Sequence, residues 1–391
     1  MKIAMVAWSF YPRAGGSVTT VSQLSESLIL RGKDIKVEII APLCQRDMPK
    51  VARLGISKDI KIHWVVSSIA LGYTDFFSRA VFFLKMVLVI RKLSKQIDIF
   101  HAHDFNISFF SAIIGTKKPV VSVFGADPLL ELFYFKKKKC PDYNLFLQRK
   151  AIRLLQWLMR LVISLVARNN TVVISLNSSI DQIIRKYYSG WIVNIYVGID
   201  LNLYKKTEPV NMHECENILV VARFVPWKNV EKAIEVYKEI RKYKRNSRLI
   251  CIGEGPLKDY LFSKYKDAEG LVFIEDLDYR EVIKHYKNCG VLLVTSKYET
   301  FGINITEAMA AGLPIIASDL EVFHDRLIND VNCYLVKDGD INSFANKVLG
   351  LMENRDIRER FINNALATVK NYDVHKIADQ YISLYNSLVS L

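Results

Sequence analysis

A chain of 391 residues exceeds what one hydrophobic core ordinarily supports, so two domains of roughly 180 to 200 residues are expected. Hydrophobic residues make up 51% and charged residues 24%, a globular composition. The formal charge of +14 points to anionic partners, whether nucleic acid, acidic lipid or a phosphorylated substrate. The six cysteines are scattered without a C-x-x-C pair, which argues against a zinc site and fits the reduced core thiols of a cytoplasmic protein.

Met1 to Phe10 is apolar after Lys2 but is followed by Tyr11-Pro12-Arg13 in place of a small-residue cleavage site, so it reads as a first strand and not as a signal sequence. No apolar run approaches the ~20 residues that span a bilayer. In chain order, strands are expected at Lys2 to Ala7, Val37 to Ala41, Ile97 to His101 and Pro119 to Phe124, with a helix over Val18 to Leu30 closed by Gly32. The second half repeats the scheme with strands at Asn217 to Ala222, Arg248 to Gly253, Leu271 to Ile274, Val291 to Val294 and Pro314 to Ala317. Strands alternating with helices predict parallel sheets covered on both faces, hence an α/β chain with two Rossmann-like, doubly wound halves. The polar stretch 203–214, with its proline, is the expected join; residues 1–205 form the first domain, 206–372 the second, and a final helix covers 373–391.

Several short motifs sit at the expected strand ends. Gly15-Gly16 opens the first helix, where backbone N–H groups can cradle an anion or merely make a turn. Arg223 falls at the end of the second half's first strand and Lys228 at the start of the next helix, so a planar fork and a point charge can meet one diphosphate. Gly253-Glu254-Gly255-Pro256 reads as a glycine turn, a weak signal alone. In the stretch from Ser296 to Ser318, Glu299 and Glu307 are separated by seven residues across a loop and a helix start. Phe301-Gly302-Ile303-Asn304 would present free N–H groups at that helix N-terminus, where the macrodipole favours a diphosphate. Neither a D-x-D pair in a plausible loop nor a third ligand for His101 and His103 is present, so no metal site is expected.

This succession resembles the E-x7-E signature and the ordered motifs of the retaining glycosyltransferases of family 4, also called glycosyl transferases group 1, and it covers both halves from Gly15 to Pro314. The resemblance implies a GT-B fold, two Rossmann-like domains facing each other across a cleft, with the C-terminal helix crossing back to the first. The first domain would take the acceptor and the second the nucleotide-sugar. By that likeness Arg223 and Lys228 hold the diphosphate, Glu307 binds the ribose, Glu299 contacts the transferred sugar, and Leu277 and Ile303 flank base and ribose. The turn from Gly253 to Pro256 becomes, by the same likeness, a place where backbone approaches the nucleotide. The implied activity is metal-independent transfer, with retention, from a UDP- or GDP-linked sugar. The donor is a substrate, and no cofactor is expected.

The chain departs from the family pattern in places. Ala222 and Asn229 replace glycines around the Arg223 and Lys228 segment, and Val197 replaces an asparagine before Gly198-Ile199-Asp200. Phe124, before Gly125-Ala126-Asp127, stands where many relatives carry a histidine, so Asp127 or His103 would have to substitute. That departure motivates the alternative of a chain that binds nucleotide-sugar or glycan without turnover. A sugar-nucleotide epimerase on the same fold is disfavoured by the E-x7-E pattern. Arg149, Arg153, Arg160 and Arg168 form a basic stripe on an otherwise apolar helix-like stretch, Lys136 to Lys139 precede it, and the segment from Phe76 to Leu93 places Ser78, Lys85 and Lys92 on one face. These segments are either core helices with a solvated loop or a surface that rests on anionic lipid at the cytoplasmic membrane face. The acceptor expected there is a lipid-linked or growing glycan. No nucleic-acid motif accompanies the charge, so that partner is set aside.

Overall fold

A computed structural model describes residues 1–7, 10, 16–44, 57, 59–67, 76–104, 107–125, 157, 160, 161, 163, 171–186, 188–205, 216–275, 277–337 and 340–390. The chain divides into two compact units. The first holds the described residues up to Gly198 together with the helix Val374–Val389, and the second runs from Ile199 to Asp373.

In the first unit, strands β1 (Lys2–Val6), β2 (Lys36–Cys44), β3 (Lys61–Ser67), β4 (Ile99–Ala102), β5 (Val120–Val123), β6 (Thr171–Ser175) and β7 (Trp191–Asn194) pair in the order β3-β2-β1-β4-β5-β6-β7. Every pairing is parallel. Between them lie α1 (Gly16–Arg31), α2 (Phe76–Leu93), α3 (Ile107–Gly115) and α4 (Ser178–Ile184). The second unit begins with α5 (Leu201–Lys205) and continues as β8 (Ile218–Val221), α6 (Val230–Arg241), β9 (Leu249–Ile252), α7 (Lys258–Tyr265), β10 (Leu271–Ile274), α8 (Tyr279–Asn288), β11 (Val291–Val294), α9 (Ile303–Ala311), β12 (Ile315–Ser318) and β13 (Tyr334–Val336). Its sheet is again parallel, in the order β10-β9-β8-β11-β12-β13. The helices α10 (Ile341–Glu353) and α11 (Arg355–Val369) follow, and α12 (Val374–Val389) returns to the first unit. These are two Rossmann-like units.

The second unit shows why its strands read as unbroken apolar runs. Ile218, Val220, Val291 and Leu293 enter one buried cluster, while Leu219, Leu292 and Val294 enter another on the opposite face. Side chains alternate along a strand, so a sheet covered on both faces needs apolar residues at every position. The chain enters this unit at Ile199, ahead of the expected join at 203–214. Ile199 and Tyr204 are part of its core, and the Ile199 N–H donates to the Tyr372 carbonyl at 2.9 Å.

Helix α12 is tied to α1 by a hydrogen bond between Ser27 Oγ and His375 Nδ1 (2.8 Å) and by the two-pronged Arg31–Asp379 pair. The latter is half exposed and contributes little. Deeper in, Tyr381, Tyr385, Leu384 and Leu388 are buried, and Tyr385 meets His101 Nδ1 at 2.6 Å. His101 stacks on His103 with ring centroids 4.3 Å apart. Burial holds His101 well below the ordinary imidazole range and His103 at about 3, so both rings are neutral near pH 7. A histidine whose folded pKa is depressed supports the fold above its unfolded pKa and withdraws that support on acidification. Stability is therefore expected to fall as pH drops below about 6.5, the unfolded histidine value. Glu38, whose pKa is lowered by its bonds to Lys2 and His63 against the cost of burial, adds to the loss only in the carboxylate range. Urea unfolding of the wild type should show the decline beginning above that range, and His103→Asn should flatten it there.

Candidate functional site

Both sheets reverse their strand order beside their first strand, β1 next to β4 and β8 next to β11, and open α/β sheets bind ligands past the carboxyl ends at such a point. In the second unit the loop after β8 carries Arg223 and Lys228, and the loop after β11 carries Glu299. Gly255 has φ +155, and a Cβ there would lie 2.7 Å from the Phe224 carbonyl oxygen. The close approach this glycine permits is therefore between two protein loops, with the Phe224 N–H donating to Glu254 O (2.8 Å) and the Leu257 N–H to Phe224 O (2.9 Å). The turn fixes the segment that bears Arg223.

Lys228 closes a turn onto Val225 O (3.1 Å), and Asn229 takes a left-handed φ of 52°. Asparagine tolerates that region better than other side-chain-bearing residues, which is why it can stand at this turn. The Thr295 hydroxyl donates to Asn229 O (3.0 Å), and the Lys297 N–H donates to Trp227 O (2.7 Å), so the two loops are joined through backbone groups. Across this seam the Lys228 ammonium donates to Glu299 Oε1, which also accepts from the Ser296 hydroxyl at 3.0 Å. Glu299 is buried, and an ammonium so held keeps further N–H donors.

Helix α9 starts after Gly302, whose φ of +77 only glycine adopts readily. The Asn304 side chain donates to Val221 O (3.0 Å) and accepts from the Ile305 N–H (3.0 Å), tying the helix start to the end of β8. Behind the turn the buried Arg326 donates to the carbonyls of Phe301 and Gly302, and its guanidinium lies 3.9 Å from the centre of the Phe301 ring. Within α9, Glu307 accepts from the Tyr286 hydroxyl at 2.7 Å and from Tyr279, whose own hydroxyl is 2.7 Å from that of Tyr204. Burial raises the Glu307 pKa above the ordinary carboxylate value, while the two tyrosine hydrogen bonds oppose the rise. Leu277 and Ile303 pack partly buried against the same apolar cluster as Tyr286.

Arg223, Lys228, Gly255, Leu277, Glu299, Phe301, Gly302, Ile303 and Glu307 thus all belong to the second unit. Gly16 and His103 belong to the first: Gly16 opens α1, where its carbonyl accepts from the Thr20 hydroxyl (2.8 Å), and His103 Nε2 faces Met5 Sδ at 3.3 Å. Gly15 and Asp127 lie outside the described residues, as do most residues of 149–168. Phe124 is fully buried at the end of β5, its N–H donating to Ile174 O at 3.0 Å. Arg326, Tyr279 and Tyr286 carry no motif that a reading by spacing would detect. Each is recognisable only once helix α8, the loop after β11 and the turn after β12 are brought together.

Glycosyltransferase family 4 matches residues 14–203, and the family of glycosyl transferases group 1 matches residues 207–368. The alpha-monoglucosyldiacylglycerol synthase of Acholeplasma laidlawii is 25% identical over 423 residues, covering 100% of this chain and 98% of that protein. Among solved structures, the sucrose-phosphate synthase of Thermosynechococcus elongatus superposes with a TM-score of 0.77 at 19% identity, covering 100% of this chain and 99% of that one. Anabaena HepE, in complex with UDP and glucose, gives 0.72 at 18% identity, covering 99% of this chain and 100% of that one. The two parallel-sheet units and these structural neighbours give the GT-B fold, and the family matches make the chain a glycosyltransferase. The chain belongs to glycosyltransferase family 4, the glycosyl transferases of group 1.

Removing a hydrogen bond that favours the ionised carboxyl raises its pKa. In Tyr286→Phe, any nucleotide binding that depends on ionised Glu307 should therefore weaken at a higher pH on acid titration than in the wild type. Calorimetric titration from neutral pH down through the carboxylate range checks this.

Proposed function

We propose that this enzyme transfers a sugar, with retention, from a UDP- or GDP-linked donor to a lipid-linked or growing glycan acceptor at the cytoplasmic face of a membrane. The observation that carries the reading is the Lys228–Glu299 contact at the switch point of the second sheet, beside the N-terminus of α9. A nucleotide diphosphate needs cations and N–H donors where charge grows as the sugar leaves, and this end of the sheet offers Arg223, Lys228 and the first turn of the helix. Glu307 takes the ribose hydroxyls and Glu299 the hydroxyls of the transferred sugar, with Leu277 and Ile303 beside base and ribose.

In the proposed step the bond from the anomeric carbon to the phosphate oxygen breaks, and its electron pair stays on the diphosphate. The acceptor hydroxyl oxygen bonds to the anomeric carbon on the same face, and its proton passes to the departing phosphate oxygen. The charge on the diphosphate is met by Lys228, Arg223 and the helix N-terminus, so the step calls for no metal or cofactor. His103, and Asp127 outside the described residues, are the candidates on the acceptor side. In this division of labour the first unit, up to Gly198 together with α12, takes the acceptor, and the second, Ile199 to Asp373, takes the donor. HepE was solved with UDP and glucose, which supports a nucleotide-sugar donor.

The membrane part of the proposal rests on α2 and the segment around residue 160. No helix among the described residues is long and apolar enough to cross a membrane. Yet Leu84 and Leu88 on α2 are 61% and 63% exposed, flanked by exposed Lys85, Arg91 and Lys92, and Trp157 and Leu161 are exposed near Arg160 in sequence. Exposed apolar side chains among cations suit an anionic lipid surface. The Acholeplasma relative is by its name a diacylglycerol-glycolipid synthase, in keeping with a lipid-linked acceptor.

Lys228→Ala should lower kcat by about 100-fold or more, the scale of losing one stabilising donor in a transition state. Glu307→Ala should raise the donor KM, and the product anomer read by NMR should match that of the donor. Wild-type turnover in Lys228→Ala, or an inverted anomer, contradicts the reading. The protein should co-sediment with vesicles containing anionic lipid at low salt, and Leu84→Asp with Leu88→Asp should abolish this. Equal recovery of both proteins in the supernatant removes the membrane from the proposal.

A further inference from the structure

Arg326 lies at the end of the short turn that follows β12, outside every motif that defines the family site. Its side chain is taken into the protein and only 3% of the residue is exposed. Putting a guanidinium there is costly unless its N–H groups find acceptors. The acceptors it finds are two consecutive backbone carbonyls, those of Phe301 and Gly302, the latter at 3.0 Å. The guanidinium also lies over the Phe301 ring at 3.9 Å and near the Phe323 ring at 5.8 Å. Its own carbonyl accepts from the Asn332 side chain at 2.9 Å, which anchors the loop that delivers it.

The consequence follows from peptide geometry. In a planar trans peptide the carbonyl and the N–H point in opposite directions. A donor that draws in the Phe301 carbonyl therefore turns out the Gly302 N–H, and one that draws in the Gly302 carbonyl turns out the Ile303 N–H. These amides stand at the start of α9, where first-turn N–H groups have no carbonyl partner within the helix. The same guanidinium places a positive charge behind the turn, adding to the partial charge of the helix N-terminus. The left-handed Gly302 is part of the device, because a Cβ there would lie 2.9 Å from the Phe323 ring and 3.4 Å from Arg326 Nη2.

We propose that Arg326 is the positioning residue of the diphosphate site: by gripping the carbonyls of Phe301 and Gly302 it aims the N–H groups of Gly302 and Ile303 at the donor diphosphate. This rests on the donor-site reading above. Arg326 itself does not touch the substrate, and it acts through the backbone of the loop between β11 and α9.

The test measures UDP and GDP binding to the full chain as wild type, Arg326→Met, Arg326→Lys and Lys228→Ala, together with melting temperatures and amide hydrogen exchange at residues 302 and 303. Arg326→Met is expected to weaken the better-bound nucleotide by about tenfold or more, the scale of losing a charge-assisted hydrogen bond. Arg326→Lys, which keeps the charge, should recover part of that loss. In the wild type the amides of Gly302 and Ile303 should gain protection on saturation with the nucleotide, and in Arg326→Met that gain should shrink. Wild-type affinity and wild-type protection in the Arg326 variants, even with a lowered melting temperature, make Arg326 a structural residue only and overturn the inference. Absence of binding by the wild type, or wild-type binding by Lys228→Ala, instead overturns the donor-site reading, and the inference falls with it. If Arg326→Met does not fold, the exchange measurement on the wild type decides: unchanged amides at 302 and 303 under saturating nucleotide refute the proposal.

Discussion

The bond between Lys228 and Glu299 is the interaction on which the proposed donor site of the second unit depends. It spans the two loops that leave β8 and β11, the strands on either side of the topological switch point, and it does so where the loops are already joined through Thr295 to Asn229 and Lys297 to Trp227. The backbone bonds fix the distance between the loops. The ion pair then holds a cation and a carboxylate side by side at the end of the sheet. Removing either partner leaves a mostly buried charge without its counterpart, which is far more damaging than losing an exposed ion pair.

Around that pair the charges are arranged in depth. The N-terminus of α9 contributes N–H groups, and the left-handed glycine at 302 stands just before them. Arg326 lies behind the turn, and Glu307 lies farther along the helix against Tyr286 and Tyr279. Positive potential therefore gathers at the start of the helix, and a hydrogen-bonded carboxylate waits about one turn in. A nucleotide diphosphate has the same order of groups: anionic phosphates joined to a ribose with its hydroxyls. The two tyrosine hydroxyls oppose the rise in pKa that burial imposes on this glutamate, which suits the proposed ribose contact.

Much of this was legible in the sequence because strand-end motifs are local. Val291–Val294 followed by Glu299, Gly302 and Glu307 announces strand, loop and helix within a short stretch, and the structure places each element there. The parallel strands with both faces covered were legible for the same reason: Ile218–Val221 shows no alternation of polar and apolar residues, and every position in it is apolar. What escaped was of two kinds. Strands β3, β6, β7 and β13 were not foreseen: Lys61–Ser67 mixes charged and apolar residues, and Trp191–Asn194 is a short edge strand with exposed ends. Arg326, Tyr279 and Tyr286 were missed because their meaning is tertiary. Nothing in the neighbours of Arg326 in sequence reveals that its acceptors are the carbonyls of residues 301 and 302. Gly255 was legible as a glycine that something must approach, but the approaching group is the backbone of Phe224 and thus the Arg223 loop.

The role of Lys228 can be read from the melting temperature of the purified protein with UDP, GDP, ADP and CMP, the wild type beside Lys228→Ala. A ligand that binds only the folded state must raise it. A diphosphate held by Lys228 should give a shift with UDP or GDP in the wild type that is lost in the variant. The same shift in both proteins, or none with any nucleotide, would contradict a diphosphate site built on Lys228 and Glu299.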